Sequence, residues 1–169
     1  MICLGMTLVN PGEDLLKRYD LPAEYPGPII TQVRDRSRFP KGTAPSVGCA
    51  FWMVEHPGKG FPFHQAQLPS HKPVTVHELR QAILSCAVSP DAYQKLLEQS
   101  ARECRQRADA MGDDPAERKR LLEISEARMP RQDAGKHICR VVYHCPGNQG
   151  TMTTHIRLGA EDLEQLRGQ

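Results

Sequence analysis

Residues 136–158, KHICRVVYHCPGNQGTMTTHIRL, decide the fold, because two strand-like runs are joined there by a short turn-forming segment. The runs 137–145 and 151–158 are rich in β-branched and aromatic residues, which favour strands. The intervening PGNQG carries proline, asparagine and two glycines, which favour turns. The stretch therefore predicts a β-hairpin closed by a turn of four or five residues.

The pairing of this hairpin follows if Cys145 faces Gly150. Side chains alternate between the two faces of a strand, so each pair is assigned to a face. Cys139 and Tyr143 then lie on an apolar face, which we expect to be buried in the core, while Arg140 lies on the opposite face. The predicted pairs are His144 with Thr151, Tyr143 with Met152, Val142 with Thr153, Val141 with Thr154, Arg140 with His155, and Cys139 with Ile156.

The second face of the hairpin gathers imidazoles and guanidiniums on what we expect to be an open sheet surface. Its candidate catalytic residues are His155, His144, Arg140 and Arg157. Phosphodiester cleavage without a metal needs a general acid or base that titrates near pH 7 and a cation that holds the phosphate. A metal-independent ribonuclease is therefore one hypothesis. A polar face covered by solvent or by a helix is the alternative interpretation.

The strands RVVYHC and TTHIRL are similar to strands of small bacterial ribonuclease toxins of the barnase and RelE type. The similarity covers about 20 residues and includes no fixed motif. It implies RNA as a substrate, with His155 or His144 as acid or base and Arg140 and Arg157 on the phosphate.

A second candidate site is the loop RDRSRFPK, residues 34–41, where cations surround an aromatic ring. Such side chains grip phosphates while the ring stacks on a base, or they bind carboxylates of a protein partner. If this loop and the hairpin were neighbours, the two signals would reinforce each other. The predicted partner- or phosphate-binding residues are Arg34, Arg36, Arg38, Phe39 and Lys41.

The cysteines and histidines predict no metal site and no cofactor. The six cysteines are scattered without a CxxC, so we expect reduced thiols in the core. His137 and Cys139 could chelate together only with two further ligands from elsewhere, and this possibility stays open. The loop histidines fit no zinc motif; they are His56, His64, His71 and His77.

Three helices are predicted between residues 75 and 130. Thr75 and Glu78 form a capping box before the first, and Pro90 begins the second. The third begins near Pro115, and the last two form an antiparallel hairpin. Residues 93–128 look like helical hairpins of small bacterial proteins without assigned activity. LRQAILSCAVSPDAYQKLL, residues 79–97, also fits a helix-turn-helix, but its second helix begins with an acidic residue, where DNA readers favour polar or basic ones.

These elements predict an α+β fold: a mainly antiparallel sheet of about four strands, covered on one face by the helical hairpin plus one further helix. The strands are expected near 28–33, 46–55, 137–145 and 151–158. The runs 3–9 and 11–20 predict a further strand and a short helix. Residues 159–168 are expected to pack back through Leu163 and Leu166.

Length and composition predict one domain over residues 1–169, with Pro/Gly-rich strands and loops in 1–74, helices in 75–130, and the β-hairpin and a short C-terminal helix in 137–169. Basic and acidic residues number 22 and 20, so no global charge demands nucleic acid. No stretch is apolar and long enough to span a membrane, and the start MICLGMTLVN lacks both a basic leader and a small-residue cleavage pattern, so we expect a cytoplasmic protein.

The favoured function is a protein-binding or regulatory module that acts through its Pro-rich loops and the hairpin face. A protein is the expected partner, RNA is a possible one, DNA is less favoured, and no membrane contact is expected. The ribonuclease and a helix-turn-helix regulator are the alternatives.

Overall fold

A computed structural model of the chain describes residues 2–24, 27–61, 68–110, 115–126, 135–147 and 150–168. Seven strands and five α-helices occur in this part, with one short 3-10 helix, Pro57–Gly60. The strands are β1 (Ile2–Cys3), β2 (Met6–Val9), β3 (Ile29–Val33), β4 (Ala50–Glu55), β5 (Ser70–His71), β6 (His137–His144) and β7 (Thr151–Leu158). The helices are α1 (Glu13–Arg18), α2 (Val76–Cys86), α3 (Pro90–Ala110), α4 (Pro115–Glu126) and α5 (Ala160–Arg167).

The strands form one antiparallel sheet in the order β1-β2-β3-β4-β6-β7, with β5 paired to β4. The predicted α+β class is therefore confirmed, and the four expected strands are β3, β4, β6 and β7. The sheet is larger than expected, because β1 and β2 extend it beyond β3. A further short strand, β5, lies in a proline-rich stretch where the sequence predicts a loop.

The hairpin of β6 and β7 has the predicted register, and each of the six expected pairs is present. Cys145 donates its backbone N–H to the Gly150 carbonyl at 3.3 Å, as the predicted facing of these residues requires. The turn residues 148 and 149 lie outside the described part of the chain. The assignment of side chains to the two faces is therefore confirmed.

One face of the sheet carries the main core and is covered by α2, by α5 and by the loop that contains Phe39. The capping box of Thr75 and Glu78 starts α2 as predicted. Leu163 and Leu166 of α5 are buried in this core, as the sequence predicted. Arg80 of α2 donates from its buried guanidinium to the Leu166 carbonyl at 2.6 Å, which joins the two helices.

The helical hairpin of α3 and α4 lies further from this core. Cys104, Ala108 and Leu121 form a small cluster between the two helices. The hairpin meets the sheet near the start of α3, where Val88 forms a β-bridge with Ile138 of β6. The covering of the core face thus falls mainly to α2 and α5, because their apolar stripes contact it directly. On the other face, α1 packs against Ile29 and Ala50.

The central strand β4 has neighbours on both sides, β3 and β6. Its residue Phe51 is fully buried in the main core. Trp52, the one tryptophan of the chain, is half-buried, and the Lys72 ammonium lies 5.4 Å from the centre of its ring. The pairing with β6 shifts between Phe51 and Met53, so β4 carries a bulge at Trp52.

The described cysteine side chains are buried and form no disulfide: Cys49, Cys86, Cys104, Cys139 and Cys145. The Cys49 and Cys145 sulfurs lie 2.7 Å apart at adjacent ends of β4 and β6. Burial, followed by the contact with Cys49, raises the pKa of Cys145 to about 12. Burial also raises the pKa of Cys139 well above its usual value. These two thiols are therefore poor nucleophiles near pH 7.

We expect Gly27→Ala to destabilise the fold. A Cβ at this position would overlap the Phe51 carbonyl oxygen of β4, so backbone would have to move. Overpacking of this kind costs about 3 kcal/mol, measured by urea denaturation followed by circular dichroism. Gly60→Ala is the control, because its Cβ would meet Arg140 at an ordinary 3.6 Å and the change should stay within about 0.5 kcal/mol. Equal stability of the two variants would contradict this packing.

Candidate binding site and the hairpin face

The segment of residues 34–44, which we call the basic loop, and the β-hairpin of β6 and β7 are neighbours in the structure. The Arg157 backbone N–H of β7 donates to the Arg38 carbonyl at 2.7 Å, and its guanidinium donates to the Phe39 carbonyl at 3.3 Å. Further along the loop, the hydroxyls of Thr43 and Thr154 are 2.6 Å apart. The loop therefore runs along the outer edge of β7, and the two predicted sites adjoin each other at Arg157.

Arg38 anchors this loop. Its guanidinium donates to Asp162 of α5 at 2.7 Å and to Asp35 at 2.6 Å, and its side chain is 22% exposed. Asp162 also accepts the Gly159 backbone N–H at 2.9 Å, so the same carboxylate caps α5. Arg38 was predicted to contact a partner or a phosphate. In the structure its hydrogen-bonding capacity is directed to two carboxylates of the chain, which fix the loop against α5.

The predicted role of Phe39 as a stacking platform is wrong. Its side chain is 4% exposed and belongs to the main core. A ring that packs among apolar residues cannot also stack on a base. The loop therefore presents charged and polar side chains without an aromatic one, and Phe39 holds the loop to the sheet.

Two adjoining clefts of about 530 and 440 Å³ lie beside the loop and share Ser37 and Arg157. Arg36, Lys41 and Lys136 are exposed, and none forms an ion pair within the described part of the chain. We call the pair of clefts the basic cleft and define it by Arg36, Lys41, Lys136 and Arg157. Glu161 and Asp162 line the larger cleft on the side of α5.

The basic cleft combines predicted residues with one that sequence reasoning missed. Arg34 lines neither cleft, and its guanidinium donates to the Gln32 side-chain carbonyl at 3.2 Å. Lys136 precedes β6, and no local pattern linked it to a loop nearly a hundred positions away. Exposed cations around a half-open cleft favour carboxylate or phosphate ligands, and guanidinium groups bind them in a bidentate manner.

Away from the basic cleft, three polar side chains form a row across β4, β6 and β7. Glu55 pairs with Arg140, and Arg140 pairs with His155. The Arg140 guanidinium and the Glu55 carboxylate are 3.2 Å apart, with side chains 22% and 12% exposed. We call Glu55, Arg140 and His155 the polar row. Sequence reasoning missed Glu55, because its place depends on the β4–β6 register.

The polar row is half-buried, whereas the sequence predicted an open surface. The ring of Tyr93, at the start of α3, lies 6.3 Å from that of His155 and 6.2 Å from that of Phe61. Gly60 of the 3-10 helix lies over Arg140. The row is therefore covered in part by α3 and by the segment that follows β4.

The four predicted catalytic residues do not form one site. Arg157 turns toward the basic loop and is 7% exposed. His144 pairs with Thr151, four positions from Arg140 along β6, which is roughly 13 Å at about 3.3 Å per residue. Arg140 and His155 alone remain adjacent, because they are a direct cross-strand pair.

The region that the sequence suggests as a helix-turn-helix packs against the sheet of the protein. Val88, between α2 and α3, pairs with Ile138 of the sheet. Tyr93 of the would-be recognition helix is buried. The start of that helix is therefore occupied by contacts with the protein itself, which gives the DNA-binding alternative no support.

The loop histidines have separate surroundings. His56 Nδ1 accepts the Gly58 N–H at 3.1 Å, and burial lowers the pKa of His56. His71 contacts Ser85 at 3.3 Å, His77 is exposed on α2, and His64 lies outside the described residues. Within those residues, no three His, Cys, Asp or Glu side chains are grouped to hold a metal ion. Across the same ranges, no helix has the length and apolar character needed to span a bilayer.

Comparison with protein-family models, with curated proteins and with solved structures found no match to this chain. The function is therefore argued from the geometry of the basic cleft and the polar row.

Asp35 predicts a pH dependence of stability. Hydrogen bonds from the Ser37 backbone and hydroxyl, and then the Arg38 guanidinium, lower the pKa of Asp35 below its usual 3.8. Because its pKa is lowered in the folded state, the ionised Asp35 carboxylate stabilises the fold above about pH 4. This stabilisation is lost as the pH falls and the carboxylate is protonated.

Asp35→Asn should therefore cost up to about 1 kcal/mol at pH 7, and the difference from wild type, measured by urea denaturation, should shrink as the pH falls below the usual pKa of 3.8. Asp109→Asn, at an exposed site without an ion pair to a described residue, is the control. A pH-independent effect of the Asp35 substitution would exclude this role.

Proposed function

We propose that the protein is a binding module whose basic cleft takes an acidic segment of a partner protein. The observation that carries the proposal is the meeting of Arg36 and Lys41 from the loop with Lys136 and Arg157 at two adjoining clefts. Arg36, Lys41 and Lys136 are exposed, and none of them forms an ion pair with a described residue. Carboxylates of a partner would give these cations ionic partners and steer association.

Two features favour a protein segment over a nucleic acid as the ligand. Glu161 and Asp162 lie at one side of the larger cleft and would repel a continuous phosphate backbone. A peptide can place its carboxylates away from them, beside Arg36 and Lys41. Phe39, the one aromatic residue of the loop, is buried and offers no surface for base stacking.

The test is selection from a random ten-residue peptide library on the immobilised protein. The selected peptides should be enriched in Asp and Glu, and their affinity should fall as salt rises because the charges are exposed. Arg36→Glu combined with Lys41→Glu should weaken binding of a selected peptide at least tenfold, as measured by fluorescence anisotropy.

Arg102→Glu is the matched control, since Arg102 is exposed on α3, outside the basic cleft. Its affinity should stay within twofold of wild type. Selection of peptides without acidic residues, or equal loss in the control and the double variant, would refute the proposal.

A metal-independent ribonuclease is the second candidate, and the polar row favours it. Glu55, Arg140 and His155 place a carboxylate, a guanidinium and an imidazole side by side across three strands. A carboxylate and an imidazole can act as base and acid, while the cation stabilises developing charge on a phosphate. To bind the phosphate, the Arg140 guanidinium would have to give up part of its ion pair with Glu55.

Cleavage of a fluorescent RNA oligonucleotide in the presence of EDTA tests this candidate. The wild type should cleave, and His155→Ala and Glu55→Gln should each lose roughly 10²- to 10⁴-fold in rate, as loss of a general acid or base does. His144→Ala is the matched control and should retain the rate. Absence of cleavage, or cleavage that survives in His155→Ala, excludes the row as a catalytic site.

A further inference from the structure

Strand β7 is the edge of the sheet, and the hairpin register shows which of its backbone groups point outward. Cys145 and Gly150 form a hydrogen-bonded pair. Such pairs alternate with non-hydrogen-bonded pairs along an antiparallel ladder. The pairs of Thr151 with His144 and of Thr153 with Val142 are thus non-hydrogen-bonded. The N–H and C=O groups of Thr151 and Thr153 therefore point away from β6.

The same alternation is visible at Arg157, whose outward N–H is taken by the Arg38 carbonyl. At the other end of β7, no described group bonds to the backbone of Thr151 or Thr153. Thr151, Met152 and Thr153 are exposed, and Met152 is 43% exposed. The basic loop thus covers the edge at Arg157 and leaves it open at residues 151–153.

The open edge and the basic cleft lie along the same strand, because Arg157 of β7 lines both parts of the cleft. Thr153 and Arg157 are four residues apart on one strand, about 13 Å at 3.3 Å per residue. Thr151 is six residues from Arg157, about 20 Å at the same spacing. An extended segment of about seven residues therefore spans from the unpaired backbone of Thr151 to the position of Arg157, beside Arg36 and Lys41. A single extended ligand could therefore form backbone hydrogen bonds at one end of β7 and ionic contacts at the other.

We infer that the acidic partner segment binds in extended conformation as an additional strand on β7. Its backbone pairs with Thr151 and Thr153, and its acidic side chains lie at the end that meets the basic cleft. In this mode of recognition, the main-chain hydrogen bonds supply affinity and side chains supply selectivity. The inference rests on the proposed function, because it names how the same acidic ligand is held.

A second copy of this chain fits the edge less well. It would bring a further set of Arg36, Lys41 and Arg157 cations toward the first. It would also bring little apolar surface, because Met152 is the one large apolar side chain exposed on β7. An acidic peptide instead brings carboxylates to Arg36 and Lys41.

The experiment uses Thr153→Pro and Thr153→Ala with a peptide selected on the wild-type chain. Proline removes the outward N–H and blocks strand addition, yet edge strands tolerate it where that N–H is not used in the sheet. We expect Thr153→Pro to weaken binding at least tenfold and Thr153→Ala to stay within twofold. The selected peptides should show an acidic cluster at one end and alternating side chains along the rest.

Amide hydrogen exchange in the wild-type chain gives a second measurement that needs no variant. The amides of Thr151 and Thr153 should exchange fast in the free protein and become protected at least tenfold when the peptide is bound. The Thr154 amide, which faces β6, should change little and serves as the internal control.

The outcomes separate the two proposals. Acidic peptides that bind Thr153→Pro as tightly as wild type, without protection of Thr151 and Thr153, overturn strand addition and leave the basic cleft standing. Binding that is insensitive to Arg36→Glu with Lys41→Glu overturns the proposed function itself. A dimer that forms without peptide and is lost in Thr153→Pro assigns the edge to a second copy and overturns the inference.

Discussion

Hydrogen bonding of β6 along both of its edges is the constraint on which the rest of the structure depends. Pairing with β4 sets Glu55 beside Arg140, and pairing with β7 sets Arg140 beside His155. A shift of one residue on either edge would move every side chain of one strand to the other face. The same two ladders carry β7 to the outer edge, where Arg157 meets the loop that contains Arg38.

The loop of residues 34–44 is held at several points while its exposed cations remain available. Arg38 is bonded to Asp35 and Asp162, and Phe39 is buried in the core. Arg36 and Lys41 alternate with these anchors along the chain. A ligand would therefore meet cations on a loop that is already ordered, which lowers the entropy lost on binding.

Local patterns predicted much of the fold. The hairpin register followed from a turn-forming segment between two strand-like runs, and the start of α2 followed from the spacing of Thr75 and Glu78. The candidate sites were harder to predict, because they depend on contacts between distant segments. The burial of Phe39, the pairing of Glu55 with Arg140, and the approach of Lys136 to the loop are set by the sheet order. Strand β5 is two residues long and is stabilised by β4, so its own sequence carried little signal.

The position of Trp52 has a spectroscopic consequence. It is the one indole of the chain, it lies at the bulge of the central strand, and the Lys72 ammonium is 5.4 Å from its ring. The emission of an indole responds to nearby charge and to water. Its intrinsic fluorescence therefore reports on the centre of the sheet without any label, and a change in its emission maximum marks the separation of β4 from its neighbours.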